Sequence, residues 1–239
     1  MKPHRFTAAA MLLCAVALAG CGEDTIAPAR EPVDPAVLAA LGDQILVDPD
    51  LARQNEGSAA LTGGIDHALP LPNRSLRAID AARAEALAIV GGRDKLLALP
   101  APAGTSEAPP LVARLSVVSR ARHAGAPQRC VAALTHDFGW AARMPAAFPI
   151  YPHGATQEAA GAESGGCSLR AIHFRTPVAA EEVLAFYHTL AQGADYASTL
   201  ATAGDERVLR AAKGDAALAV FARQTPSGIT AIDLVTWGG

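Results

Sequence analysis

The sequence predicts an α+β fold, with an alanine-rich helical N-terminal region followed by an antiparallel sheet with one helix packed across a face. Three observations predict it. Apolar residues recur at weak helical spacing through the first half, with proline- and glycine-rich joints between segments. From Cys130 onward the pattern turns to short runs separated by glycine turns, and one strongly periodic helix interrupts those runs. Composition sets the scale: of 239 residues 51% are hydrophobic but only 5% aromatic, with alanine supplying much of the total, so one modest core is expected rather than two large ones.

The chain opens with basic Lys2, His4 and Arg5, an apolar run over residues 8–18, and then Leu18, Ala19, Gly20 and Cys21. That run is well short of the roughly twenty apolar residues that span a bilayer, so it predicts a processed export signal rather than a permanent anchor. Its last four residues resemble the lipobox of bacterial lipoproteins at every position. The resemblance implies diacylglycerol on the Cys21 thiol, cleavage before it and acylation of the new amine. The chain would then be an envelope lipoprotein, held in a membrane through Cys21 and facing the periplasm. Gly22 in place of aspartate favours the outer membrane over the inner by the sorting seen in enteric bacteria. The competing reading is an ordinary signal-peptidase site with Cys21 unmodified.

The organisation that follows is a signal over residues 1–20, a lipidated tether over 21–35, a helical and partly flexible region over 36–127, and an α+β domain over 128–239. Pro28, Pro32 and Pro35 give the tether its extended composition. Asp34 and Pro35 form a helix start ahead of Val37, Leu38, Leu41 and Ile45, and Asp48 with Pro49 form a second. A third helix is expected over residues 76–90, capped by Ser75 and stopped by Gly91 and Gly92; its face of Leu76, Ile79, Arg83, Leu87 and Val90 is only partly apolar. After a breaker-rich linker over residues 100–110, residues 111–122 read as one more helix, with Leu111, Leu115 and Val118 aligned. Such segments bury little individually, so they pack on the C-terminal domain, dock on a partner or stay partly mobile.

In the C-terminal domain a hairpin is expected between residues 156–160 and 167–175, reversed by the glycines of residues 161–166. The best helix follows: Thr176 and Pro177 start it, Val183, Phe186, Tyr187 and Leu190 share a face, and Gly193 is placed for a C-cap. Three more strands lie near residues 207–212, 216–223 and 229–237, joined by turns at Gly214 and at Pro226 to Gly228. With Cys14 in the signal and Cys21 lipidated, Cys130 and Cys167 remain; in an oxidising compartment the pair reads as a disulfide worth about 3–4 kcal/mol by loop closure.

The segment LGDQILVDPDLARQN over residues 41–55 resembles one found in uncharacterised Gram-negative lipoproteins shortly after their lipobox. Residues from Cys130 to the C-terminus resemble a domain of the same group through Cys130; Trp140, Ala141, Arg143 and Pro145; Pro149, Tyr151 and Pro152; Gly166 to Arg170; Phe186 and Tyr187; and Asp233, Leu234 and Val235. Here His153 precedes Gly154 and Ala155, lengthening the turn after Tyr151 by one residue. The resemblance implies a fold and no activity.

No catalytic constellation is evident. Gly161, Ala162, Glu163, Ser164 and Gly165 put one residue too many before the serine for a hydrolase elbow, and no phosphate-cradling glycine loop occurs. His136, Asp137, His153, His173 and His188 fit no metal signature, so neither a metal nor a cofactor is expected. The acid pairs Glu181, Glu182 and Asp205, Glu206 read as solvated. Removing Lys2 and Arg5 with the signal leaves 18 basic against 23 acidic residues, which predicts no nucleic-acid partner. Trp140, Tyr151 and His153 are the candidate binding surface, with core packing as the alternative for the aromatics. The expected function is a membrane-anchored, non-enzymatic binding or structural module. The alternatives are an accessory subunit docking an envelope protein through its N-terminal helices, or a periplasmic enzyme using His136, Asp137 or His173.

Overall fold

A computed structural model describes residues 69–106 and 108–238. Cys21, the tether and the segment over residues 41–55 lie outside the described residues. The order is α1 (Leu76–Ile89), a short 3-10 turn (Arg93–Lys95), β1 (Thr105–Ser106), a second 3-10 turn (Leu111–Arg114), α2 (Val117–Ala124), α3 (Gln128–Ala132), β2 (Thr135–His136), α4 (Gly139–Ala142), β3 (Ala155–Ala162), β4 (Leu169–Thr176), α5 (Ala180–Gly193), β5 (Ala197–Ala203), β6 (Glu206–Lys213), β7 (Ala216–Gln224) and β8 (Thr230–Trp237). The strands form one sheet in the order β1-β5-β6-β7-β8-β4-β3-β2, antiparallel throughout except for β1 beside β5. The fold is therefore α+β, as the sequence predicts.

Local chemistry explains most element ends. Ser75 accepts from Ala78 N and starts α1, as its position suggests. The expected helix over 111–122 is instead broken, because Ser116 caps Ser119 N and restarts the chain as α2. Gly125 closes α2 in the left-handed region, at φ 94°. Gly193 is the last residue of α5 rather than its reversal, which falls on Asp195 at φ 61°. Gly204 and Gly214, at φ 63° and 58°, each take the first central position of a two-residue hairpin loop, where L side chains are strained. The strand β5 was not anticipated; its serine, threonine and alanine residues bury one large side chain, Leu200.

Period-two alternation divides the sheet into two covered faces. On one, α5 and α1 pack through Phe186, Leu184, Ala82 and Ala86 over Ile172, Phe174, Leu218 and Ile232. The other is built mostly of small residues, with Val117, Ala121 and Ala124 of α2 above Ala160, Ala171, Ala219 and Val235. Cys130 of α3 and Cys167 of the β3–β4 loop are joined by a disulfide, fastening α3 to that loop. Closing a loop of separation 37 stabilises the fold by about 4 kcal/mol in the chain-entropy model. The sheet is thus sandwiched, with a large-residue core on one side and a small-residue, partly ionic layer on the other.

Candidate functional site

Between α1 and α5 lies a cavity of 390 Å³ lined by Ala86, Leu87, Leu96, Tyr151 and Phe186, with Asp80, Arg83, Arg93 and Glu182 at its edge. The helical spacing of Arg83, Ala86 and Leu87 places one α1 face against it, and Glu182 and Phe186, one turn apart on α5, supply the opposite wall. Arg83 ties the walls together through a two-bonded fork, Nε to Glu182 Oε2 and Nη2 to Oε1, both at 2.7 Å. Tyr151 stands edge-on to Phe186 at 5.2 Å and is only 2% exposed. Its hydroxyl makes no hydrogen bond among the described residues. Burial, reinforced by the Glu182 charge and opposed by Arg83, pushes its pKa up to about 12, so it stays a neutral donor and acceptor.

The small-residue face carries a second polar constellation. Strand register puts Glu158, His173 and Asp233 side by side across β3, β4 and β8, and Glu206 beside Arg223 across β6 and β7. From α2 the Arg120 guanidinium, 1% exposed, reaches down between them. It donates to Glu206 at 3.1 and 2.9 Å, lies 2.8 Å from Asp233 Oδ2, and stacks 4.4 Å above the Phe221 ring. Arg223 lies 3.4 Å from Glu206 and 3.2 Å from Asp233, and His173 Nδ1 is 2.7 Å from Asp233 Oδ1. Arg114 Nε approaches Glu206 at 3.1 Å without hydrogen-bond alignment, so that contact is Coulombic.

Burial pushes the Asp233 carboxyl up, but the His173 hydrogen bond and the arginine charges outweigh it and hold the pKa below the usual value. A carboxylate so engaged is a poor proton acceptor. The cluster thus suits fastening α2 to the sheet better than acid–base chemistry. Glu206, read from sequence as one of a solvated acid pair, is instead fully buried here, while its neighbour Asp205 is 63% exposed in its side chain and paired with Arg114. The signal that could have found it is positional: Glu206, Arg223, Asp233 and His173 sit at in-register places of otherwise apolar strands.

The other candidates are dispersed. Trp140 is 7% exposed; Arg143 and Arg170 lie over its ring at 3.6 and 4.5 Å, and its Nε1 donates to Thr135. His153, the extra turn residue, takes a left-handed φ of 58° and lies 3.1 Å from Glu85 at a separate 220 Å³ cavity. Of the three proposed surface residues, only Tyr151 lines the α1–α5 cavity. His136 pairs with Glu158 at 3.2 Å, the register neighbour of His173, while Asp137 accepts from Gly139 N and His188 meets Ser198 at 2.9 Å. Glu181 and Glu182 are each paired with an arginine across elements.

No family model, curated protein or solved structure matches this chain. Among the described residues there is no group of ligating side chains that could hold a metal, and no helix long and apolar enough to cross a membrane.

Proposed function

We propose that the chain is a lipid-anchored envelope protein, held through Cys21 and facing the periplasm from the outer membrane, whose α+β domain is a non-enzymatic binding module. Its ligand site is the cavity between α1 and α5. One observation carries this reading: a tyrosine 98% removed from solvent lines that cavity beside Leu87 and Phe186, and its hydroxyl makes no hydrogen bond among the described residues. Small-molecule sites combine apolar walls with few convergent polar groups. The volume of 390 Å³ suits a molecule with one ring or a short acyl body that carries a hydrogen-bonding group.

The test is ligand-observed NMR on the full chain with indole, 4-hydroxybenzoate and 3-phenylpropionate as probes. At least one binds the wild type. Tyr151→Phe, which removes only the oxygen, weakens it about 2- to 12-fold, the range of one neutral hydrogen bond. Leu87→Trp, at a half-buried position lining the cavity, fills it and abolishes binding while circular dichroism in the far ultraviolet stays unchanged. Probe signals that are absent, or identical in wild type and Leu87→Trp, refute the proposal.

A further inference from the structure

We infer that the end of the sheet at which the chain enters the domain is a lipid-docking surface. The inference rests on the lipid-anchor reading and adds an orientation to it. Antiparallel register places the β5–β6 turn, the β7–β8 turn and the start of β3 at one end of the sheet, with the β6–β7 turn and the β3–β4 loop at the other. The chain entering at Leu69 is held at the first end, where Gln157 Nε2 donates to Pro70 O at 2.7 Å and Arg74 Nη2 donates to Ser227 O at 3.1 Å. The 3-10 turn Leu111–Arg114 reaches the same end, because Arg114 forks onto Asp205 in the β5–β6 turn at 2.5 and 3.2 Å.

Exposed large apolar side chains are distributed unequally between the ends. Leu71, Leu76, Leu111, Val112 and Leu115, at 79%, 79%, 77%, 60% and 78% exposed, all belong to the entry end. Near the other end Ile89, Leu96 and Leu97 are only 43%, 37% and 42% exposed. Single surface leucines need no explanation, but the five most exposed sharing the end at which the chain enters the domain do.

Charge points the same way. Asp205 is already neutralised by Arg114, whereas Arg74 and Arg77 are exposed and have no acidic partner among the described residues. Leu71 and Leu76 flanked by Arg74 and Arg77 suit the interface of a bilayer with anionic headgroups, where apolar burial and charge attraction add. On the anchored reading, this end supplies the orientation of the domain at the membrane.

The experiment reconstitutes the full lipidated chain in phosphatidylcholine–phosphatidylglycerol vesicles with and without brominated phosphatidylcholine. Leu115→Trp and Leu76→Trp, at positions too exposed to disturb the core, show blue-shifted emission and a loss of fluorescence in brominated lipid that Leu97→Trp does not share. In parallel, the Cys21→Ser chain keeps a weak, salt-sensitive affinity for the same vesicles. Leu111→Asp with Leu115→Asp reduces that affinity at least about tenfold, the loss of two leucine transfers.

A lipidated chain that fails to enter vesicles at all overturns the anchor reading and this inference with it. A chain that enters but shows equal quenching at both ends overturns the docking surface alone. Dimerisation of the Cys21→Ser chain without lipid, abolished by the same aspartates, would make this end a protein interface and likewise overturn the inference.

Discussion

Replacing Arg120 by methionine tests the reading of the ionic layer as the fastening of α2. The substitution keeps the aliphatic stem over Phe221 but removes both bonds to Glu206 and the contact with Asp233. Removing one partner from a buried ion pair costs about 3–5 kcal/mol, because the other charge stays buried and uncompensated. Here the cost falls at the lower end, about 3 kcal/mol. Glu206 retains Arg223 at 3.4 Å and Arg114 at 3.1 Å, and Asp233 retains Arg223 at 3.2 Å and His173 at 2.7 Å. Arg120→Met combined with Glu206→Leu loses less than the sum of the single changes, by about 2 kcal/mol, because the two side chains need each other. Urea unfolding followed by circular dichroism measures all four proteins. A single variant within about 1 kcal/mol of wild type, or strictly additive losses, would refute the argument.

Two further outcomes follow from the packing and the titrating groups. A Cβ on Gly161 would lie 2.4 Å from Trp140 Cδ2, so Gly161→Ala displaces the indole and costs about 1–3 kcal/mol; a changed near-ultraviolet signal with a lower urea midpoint is expected, and unchanged spectra would contradict the close approach. Burial, with Arg120 and Arg210 nearby, lowers the pKa of His123, and burial lowers that of His188, both from 6.5. The unfolded chain therefore binds more protons, and stability falls as pH drops from 6.5 through their lowered folded values. Asp233 and Asp205, held below 3.8, contribute stability that is full above that value and disappears as pH falls through their depressed folded values. Urea midpoints across acidic pH should thus decline in two stages, the first reduced by His188→Gln; a flat profile between about pH 7 and about pH 5 would contradict the histidine assignments.

The large-residue side of the sheet was legible in the sequence because its signals are local and redundant. Ser75 caps where a periodic run begins, Val183, Phe186, Tyr187 and Leu190 lie on one face of α5, and Gly214 and Gly228 mark reversals. The small-residue side was not, since alanines carry little contrast: Ala121, Ala124, Ala160 and Ala219 are buried but read like alanines anywhere. Strand β5 hid for the same reason. Tyr151 stood out among the aromatics, but its placement in a cavity depends on α1 and α5 converging over it, and the tie between them, Arg83 with Glu182, spans elements far apart in sequence. Glu206 was misread because adjacency to Asp205 suggested solvation, whereas Asp205 lies in the β5–β6 turn and Glu206 begins β6, where it is buried against Arg120.

Both flanks of the sheet end in two-residue strands, β1 beside β5 and β2 beside β3. Each is too short to present a long row of free backbone groups to another chain, and each shields part of the longer strand behind it. Molecules tethered to a membrane meet in two dimensions at high local concentration, where an open flank would invite strand-to-strand polymerisation. On the anchored reading, these four residues let the protein stay crowded on a surface without knitting into fibres, and lengthening either flank by design would be the direct way to lose that immunity.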